Sequence, residues 1–160
     1  GGRKDVTPEI YNLKLKNLAD VVNGMNADLL GLCEIENRFV LDELDRFADR
    51  DYDIAHYDSP DFRGIDVAML YDAKQVKVVF SEPVQVILPS GKPTRDILHV
   101  KVEMKNTDLH LFVNHWPSKY GGAEKSIPKR AAAAKTLRKK NRIHFIQGYK
   151  CGNRHHGRPE

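Results

Sequence analysis

The sequence predicts an α/β (α+β) domain in which helices flank mixed, largely antiparallel sheets. Three observations carry this. A helix–strand–helix pattern occupies residues 8–49, and from Tyr52 onward the apolar period switches from helical to two over six short segments. No internal repeat or low-complexity linker divides the chain. With 160 residues, 41% of them hydrophobic, it reads as one soluble globular domain, and a chain of this size buries roughly 70% of its unfolded surface.

Thr7-Pro8-Glu9 opens the first helix: Thr7 caps, Pro8 has its φ preset, and Glu9 suits the positive end of the helix dipole. Ile10, Leu13, Leu18, Val21 and Met25 form an apolar stripe, and Gly24 marks the expected end. Leu29-Leu30-Gly31-Leu32-Cys33 reads as a strand buried on both faces. A second helix fits 38–49, with Val40, Leu41, Leu44 and Phe47 inward. Strands are expected at 52–57, 65–71, 76–80, 84–88, 96–104 and 108–114, with Lys105-Asn106-Thr107 as a hairpin connection. In the last strand Leu109, Leu111 and Val113 share one face, and His110, Phe112 and Asn114 the other. A polar loop over 117–125 leads to a third helix from Ser126 to Lys140, and Arg142–Gln147 reads as one more strand.

No apolar stretch approaches the ~20 residues a membrane-spanning helix needs, and the N-terminus lacks a signal-peptide layout. The two cysteines, Cys33 and Cys151, are too few for a disulfide framework. Residues 1–118 carry 14 Lys/Arg against 20 Asp/Glu, whereas residues 119–160 carry 12 against 2. An acidic body with a basic end suits an anionic partner, or is a solvated basic face.

Chemistry concentrates in three segments. Glu34, in Leu32-Cys33-Glu34-Ile35-Glu36-Asn37, stands at the carboxyl end of a strand, where α/β proteins bind ligands and where a carboxylate can hold a hard divalent cation. The alternative is that Glu34 and Glu36 serve only the next helix N-terminus. His115, in Val113-Asn114-His115-Trp116-Pro117-Ser118, falls on the side of Val113 just past the core, placed to meet a phosphoryl oxygen or to pack in a turn. Arg63, in Ser59–Asp66, can clamp phosphate bidentately or pair with Asp66. Three other features carry less. Ser90-Gly91-Lys92-Pro93-Thr94 lacks the spacing of a phosphate loop and reads as a turn. Cys151, His155 and His156 make a poor zinc set. The basic residues Lys129, Arg130, Lys135, Arg138, Lys139 and Lys140 can track phosphates, although the last three also complement a helix C-terminus.

Taken in order, Leu32–Asn37, then Tyr57–Asp61 with Arg63–Ala68, then Thr94–Leu98 and Val113–Ser118, the chain resembles the endonuclease/exonuclease/phosphatase family, the deoxyribonuclease I-like enzymes, over roughly residues 10–140. The resemblance implies a partial four-layered α/β sandwich over residues 1–147 that is incomplete, with 148–160 an unmatched tail. It implies hydrolysis of phosphodiester or phosphomonoester bonds with Mg²⁺ or Mn²⁺, on a phosphoester substrate such as DNA or RNA. Glu34 then matches the metal-binding glutamate and His115 the histidine on the scissile phosphate, with Arg63 and Asn114 beside the substrate groove.

The departures from the family pattern are specific. A family strand bearing a metal-site Asn has no counterpart before the first helix. Where the family carries Gly-Asp-x-Asn after the third helix, this chain has Gly148-Tyr149-Lys150-Cys151, and a Ser-Asp-His segment is not matched. Two expectations result: impaired hydrolysis, and open apolar sheet faces through which the protein self-associates. The alternative function is a non-catalytic module binding phosphate or nucleic acid through its basic end.

Overall fold

The computed structural model describes residues 6–152 other than Asn106 and Tyr120, with side chains through Arg142. In chain order the elements are α1 (Pro8–Met25), β1 (Leu29–Ile35), α2 (Arg38–Asp45), β2 (Asp53–His56), β3 (Asp66–Tyr71), β4 (Lys77–Val84), β5 (Ile97–Met104), β6 (Thr107–Val113) and α3 (Ala123–Gly152). Two antiparallel three-stranded sheets form, in the orders β1-β3-β2 and β4-β5-β6.

β3 explains the layering. Val67, Ala68, Met69 and Leu70 are all buried, and the period of two sends them to opposite faces. Ala68 and Leu70 pack with Leu15, Ala19 and Val22 of α1 and Leu41 and Leu44 of α2. Val67 and Met69 pack with Leu98, Val100 and Val102 of β5. On the far side of the second sheet, Ile97 and Phe112 meet Ala133 and Leu137 of α3. The order is therefore helices, sheet, sheet, helix: four layers. Each sheet has both faces covered among the described residues, which gives the expected self-association through open sheet faces no support.

Several elements differ from expectation. α1 begins as read, Thr7 Oγ1 accepting from the Ile10 amide at 3.4 Å, but it turns a different face inward. Leu15, Ala19 and Val22 are buried, while Ile10, Leu13, Leu18, Val21 and Met25 are exposed. The helix has two apolar faces, and small Ala19 lets one of them approach the sheet closely. Its end is Asn26 rather than Gly24: Asn26 takes φ 43°, a left-handed cap that a short polar side chain tolerates. α2 is capped by Asn37 Oδ1 on the Val40 amide at 3.0 Å, and it stops at Asp45 in single turns that leave Phe47 exposed. The segments read as two strands around Ser81-Glu82-Pro83 form one strand, β4, with a bulge between Val78 and Phe80. β4 is an edge strand, where Pro83 sacrifices no ladder bond; beyond it, residues 84–88 add only an isolated bridge, Ile87 to Pro93. Arg142–Gln147 lies within α3 instead of forming a strand. A short apolar run does not distinguish strand from helix, and the preceding alanines and lysines favour propagation of the helix. Residues 153–160, with His155 and His156, lie outside the described residues, as does the side chain of Cys151.

Two further contacts help to join the layers. A Cβ on Gly31 of β1 would lie 3.3 Å from Val113 Cγ2 of β6, so the two strands approach closely where they do because residue 31 has no side chain. On the other side, Lys140 Nζ of α3 meets Glu82 Oε1 at 2.8 Å. The same oxygen lies 2.8 Å from Nδ1 of fully buried His99, whose Nε2 is 2.9 Å from His110 Nδ1.

Gly31→Val should therefore destabilise the fold by about 1–3 kcal/mol through overpacking, measured by urea unfolding. Adding Val113→Ala should restore part of the loss, and additive losses would count against the contact. Burial pushes the Glu82 carboxyl up, but hydrogen bonds from Lys140 and His99 outweigh it and hold the pKa below its ordinary value. A depressed folded-state pKa stabilises above the unfolded value and is lost as pH falls through the carboxylate range. Thermal stability should thus fall more steeply on acidification in the wild type than in Glu82→Gln.

Candidate functional site

Glu34 and His115 are brought together by the ends of β1 and β6. The β1–β3 register pairs Cys33 with Val67 and Ile35 with Asp66, which leaves Glu34 unopposed in a bulge. Its φ is 63°, in the left-handed region that a glutamate rarely adopts. Such a conformation persists only where the surroundings impose it. Here β-pairing on both sides of the bulge turns the Glu34 side chain, 72% exposed, out from the sheet end. His115 follows β6 on the Val113 side, and its Nε2 stands 3.6 Å from Glu34 Oε1. Cys33 Sγ donates to the Asn114 carbonyl at 3.6 Å, tying the two strand ends across the sheets. Burial and the neighbouring Glu34 charge push the Cys33 thiol up, which keeps it a protonated donor.

His115 is held from behind. Arg95 donates Nε–H to the His115 carbonyl at 2.9 Å. Its Nη1 lies 3.3 Å from Asp61 Oδ2, and both side chains are buried. Asp61 also accepts from Thr94 Oγ1 at 3.2 Å and, on its two oxygens, from Arg63 Nε at 3.0 Å and Nη2 at 3.2 Å. Arg63 is therefore clamped by Asp61 rather than Asp66, with its outer edge exposed. Asn114 turns back on its own strand, Nδ2 donating to the Phe112 carbonyl at 3.0 Å.

Asp66 serves a separate cluster. It accepts from the Ser59 amide at 2.9 Å and from Ser59 Oγ at 2.6 Å, and it lies 3.2 Å from His56 Nε2. Among the described residues, His56, Asp58 and Asp66 bring their ligand atoms within 4.8 Å of one another, close enough to share a cation. Asp96 lines a small cavity with Ser59. Burial first, and the Asp66 charge second, push its carboxyl up.

The residues around Glu34 fit a hard cation in a limited way. Glu34 supplies one exposed carboxylate, and Mg²⁺ is commonly held by one or two carboxylates with water and substrate phosphate filling the rest. Glu36 shares with Glu34 the wall of a cleft of about 420 Å³. Beside the pair, His115 Nδ1 and Asn114 Oδ1 are buried without hydrogen-bond partners. Native proteins satisfy nearly all such atoms, and exceptions gather at functional sites.

Sequence reasoning singled out Glu34, His115, Arg63 and Asn114, and the structure brings the Glu34 and His115 side chains together. It assigned no role to Asp61, Thr94 and Arg95, and missed the His56–Asp66 cluster. The adjacency of Thr94 and Arg95 before a strand was the available signal, but their shared partner Asp61 is 33 and 34 residues away.

The sequence pattern of the Endonuclease/Exonuclease/phosphatase family matches residues 1–146. No curated protein sequence matches the chain significantly. Among solved structures, truncated TDP2 of Caenorhabditis elegans superposes with a TM-score of 0.67 at 20% identity, covering 88% of this chain and 52% of that one. A functionally unknown conserved protein from Enterococcus faecalis gives 0.67 at 14%, covering 90% and 57%. The human Nocturnin catalytic domain with bound sulfate anion gives 0.62 at 14%, covering 81% and 52%. The chain thus spans about half the length of these structures and shares their fold.

Asp61→Ala leaves the buried Arg95 guanidinium without its counter-charge, which should cost about 3–5 kcal/mol in urea unfolding. Arg63→Ala removes only an exposed partner and should cost no more than about 1 kcal/mol. Equal effects would refute a buried Asp61–Arg95 anchor.

Proposed function

Since the chain belongs to the endonuclease/exonuclease/phosphatase family, we propose that it carries the metal-side and phosphate-side residues of a divalent-metal-dependent phosphoesterase that hydrolyses phosphodiester or phosphomonoester bonds. The observation that supports this most is the meeting of Glu34 and His115 at 3.6 Å, from two sheets, with Glu34 in a left-handed conformation. Nocturnin, similar in fold, was solved with a sulfate anion, a tetrahedral oxyanion of the shape of phosphate.

In this reading Glu34 holds Mg²⁺ or Mn²⁺, which when bound neutralises charge developing on the phosphoryl group. His115 Nε2 faces the same space and donates to a phosphoryl oxygen, while Arg95 fixes its backbone from behind. Arg63 keeps an exposed edge for a second phosphoryl oxygen and is oriented by Asp61. Asn114, committed to the Phe112 carbonyl, orients the strand end.

The general base is the weak point of this chain. By the sequence resemblance Tyr149 stands where the family carries Asp, and the backbone there continues helix α3. A positioned base contributes about 10²–10⁴-fold, and a tyrosine with an ordinary pKa near ~10 does not replace a carboxylate at neutral pH. We assign the chain slow hydrolysis. A purely binding role, without turnover, is the second reading, favoured by the same helix and by the basic residues on it.

Release of phosphate or nitrophenol from a generic phosphoester with Mg²⁺ or Mn²⁺ should be slow in the wild type. It should be lost in Glu34→Ala and in His115→Ala. Mn²⁺ binding followed by electron paramagnetic resonance should weaken in Glu34→Ala and persist in His115→Ala. Fast turnover indifferent to Glu34→Ala would refute the assignment, and metal binding without any turnover would select the binding role.

A further inference from the structure

Beside the Glu34–His115 pair, the loop around Phe62, the turn around Lys92, the segment after His115 and the first turns of α3 enclose a second cleft, of about 520 Å³. Arg63, Lys92, Arg95 and Lys129 stand in its wall, and Asp61 is the one carboxylate among its lining residues. That carboxylate is already taken by Arg95 and Arg63. Among the described residues, Lys92 and Lys129 have no carboxylate partner, so the cleft holds an uncompensated positive field. Its floor is stiff: Thr94, Arg95 and Asp61 are buried and joined by hydrogen bonds at 3.2 and 3.3 Å.

At the mouth stands Phe62. Its side chain is 94% exposed, the most exposed large apolar residue described. The Arg63 guanidinium lies over one face, 5.7 Å from the ring centroid, and at 94% exposure the opposite face is open to solvent. A bare aromatic face beside cations is the combination that binds single-stranded nucleic acid: bases stack on the ring and cations follow the backbone. An acidic peptide would use the cations and leave the ring idle. A duplex hides its base faces.

We infer that this cleft is a binding site for a single strand of nucleic acid, with Phe62 stacking one unpaired base and Lys92 and Lys129 on flanking phosphates. Arg95 lines the cleft and also holds the His115 carbonyl, so the strand runs from Phe62 toward the Glu34–His115 pair. Only its role as substrate rests on the phosphoesterase reading; strand binding does not. Lys129 is the basic residue of α3 that the cleft uses, which selects it from the helix's other cations.

Binding of fluorescein-labelled oligo(dT) is measured by anisotropy in EDTA, where no turnover occurs, with oligo(U) alongside to distinguish DNA from RNA. Affinity should fall as salt rises, and Lys92→Ala and Lys129→Ala should each lower the logarithmic salt slope by about 0.7. Phe62→Ala should weaken oligo(dT) binding by about 5- to 150-fold, and Phe62→Tyr should retain it. An abasic strand with the same number of phosphates should bind the wild type and Phe62→Ala alike. Phe62 is exposed, so an unchanged thermal melt shows that the fold is intact. Wild-type affinity in Phe62→Ala, equal affinity for a duplex, or no binding at low salt would each overturn the inference. Strand binding without hydrolysis by any metal would refute the phosphoesterase reading alone, and hydrolysis of small phosphoesters without strand binding would refute this inference alone.

Discussion

The close approach of β1 and β6 at Gly31 is the constraint on which the candidate site depends. Sheets packed face to face ordinarily stand about 10 Å apart, a gap filled by side chains from both. At Gly31 one of the two side chains is missing, and Val113 fills the space with its own methyl groups. Three residues later on β1 comes Glu34, and two residues past Val113, just beyond β6, comes His115. Strands that converge at Gly31 and Val113 deliver these two side chains to one point at the sheet ends. Glu34 and His115 belong to separate hydrogen-bonded sheets, so no ladder sets their separation, and packing does.

Packing alone leaves a strand end free to fray, and the charged network behind His115 answers that. Asp61 collects Arg63, Thr94 and Arg95 on one carboxylate, and Arg95 reaches on to the His115 carbonyl. A buried ion pair contributes little net stability once desolvation is counted, while losing one partner is costly. Its value here is geometric: it fixes the loop 58–65 to the turn before β5 and to the end of β6. Those three segments form the cleft that carries Phe62 and Lys92. One buried carboxylate therefore orders both the His115 side of the Glu34–His115 pair and the basic cleft next to it.

How much of this was legible in the sequence follows from the range of each interaction. The cap at Thr7, the strand at β3, the alternation in β6 and the hairpin between β5 and β6 are local, and they read correctly. The inward face of α1 did not, because Ile10, Leu13, Val21 and Met25 are as apolar as the buried set, and only the sheet selects Leu15, Ala19 and Val22. Two strands were read where Pro83 continues one, since nothing local shows that β4 lies at an edge. Glu34 and His115 were singled out because they stand at or just past a strand's end, and Arg63 because it precedes a strand. Asp61 was not, because its partners lie more than thirty residues away and its side chain is buried.

The two ends of the chain's chemistry differ in kind. Glu34 and His115 are placed by rigid elements whose register is pinned by the bulge, the Gly31 contact and the Asp61 network. The region after Lys140 is placed by a helix. A catalytic base must sit within hydrogen-bond reach of the water it activates, which strand ends achieve because the sheet dictates where they stop. A helix that runs through this region presents its residues around an axis instead, and Lys140 binds that axis to Glu82 on the second sheet. Fixing α3 in this way stabilises the fourth layer and brings Lys129 to the basic cleft. Beyond this anchor the backbone at Tyr149 is helical. The continuation of α3 past Lys140 thus gives this end of the chain a helical backbone where β1 and β6 give the Glu34–His115 pair strand ends.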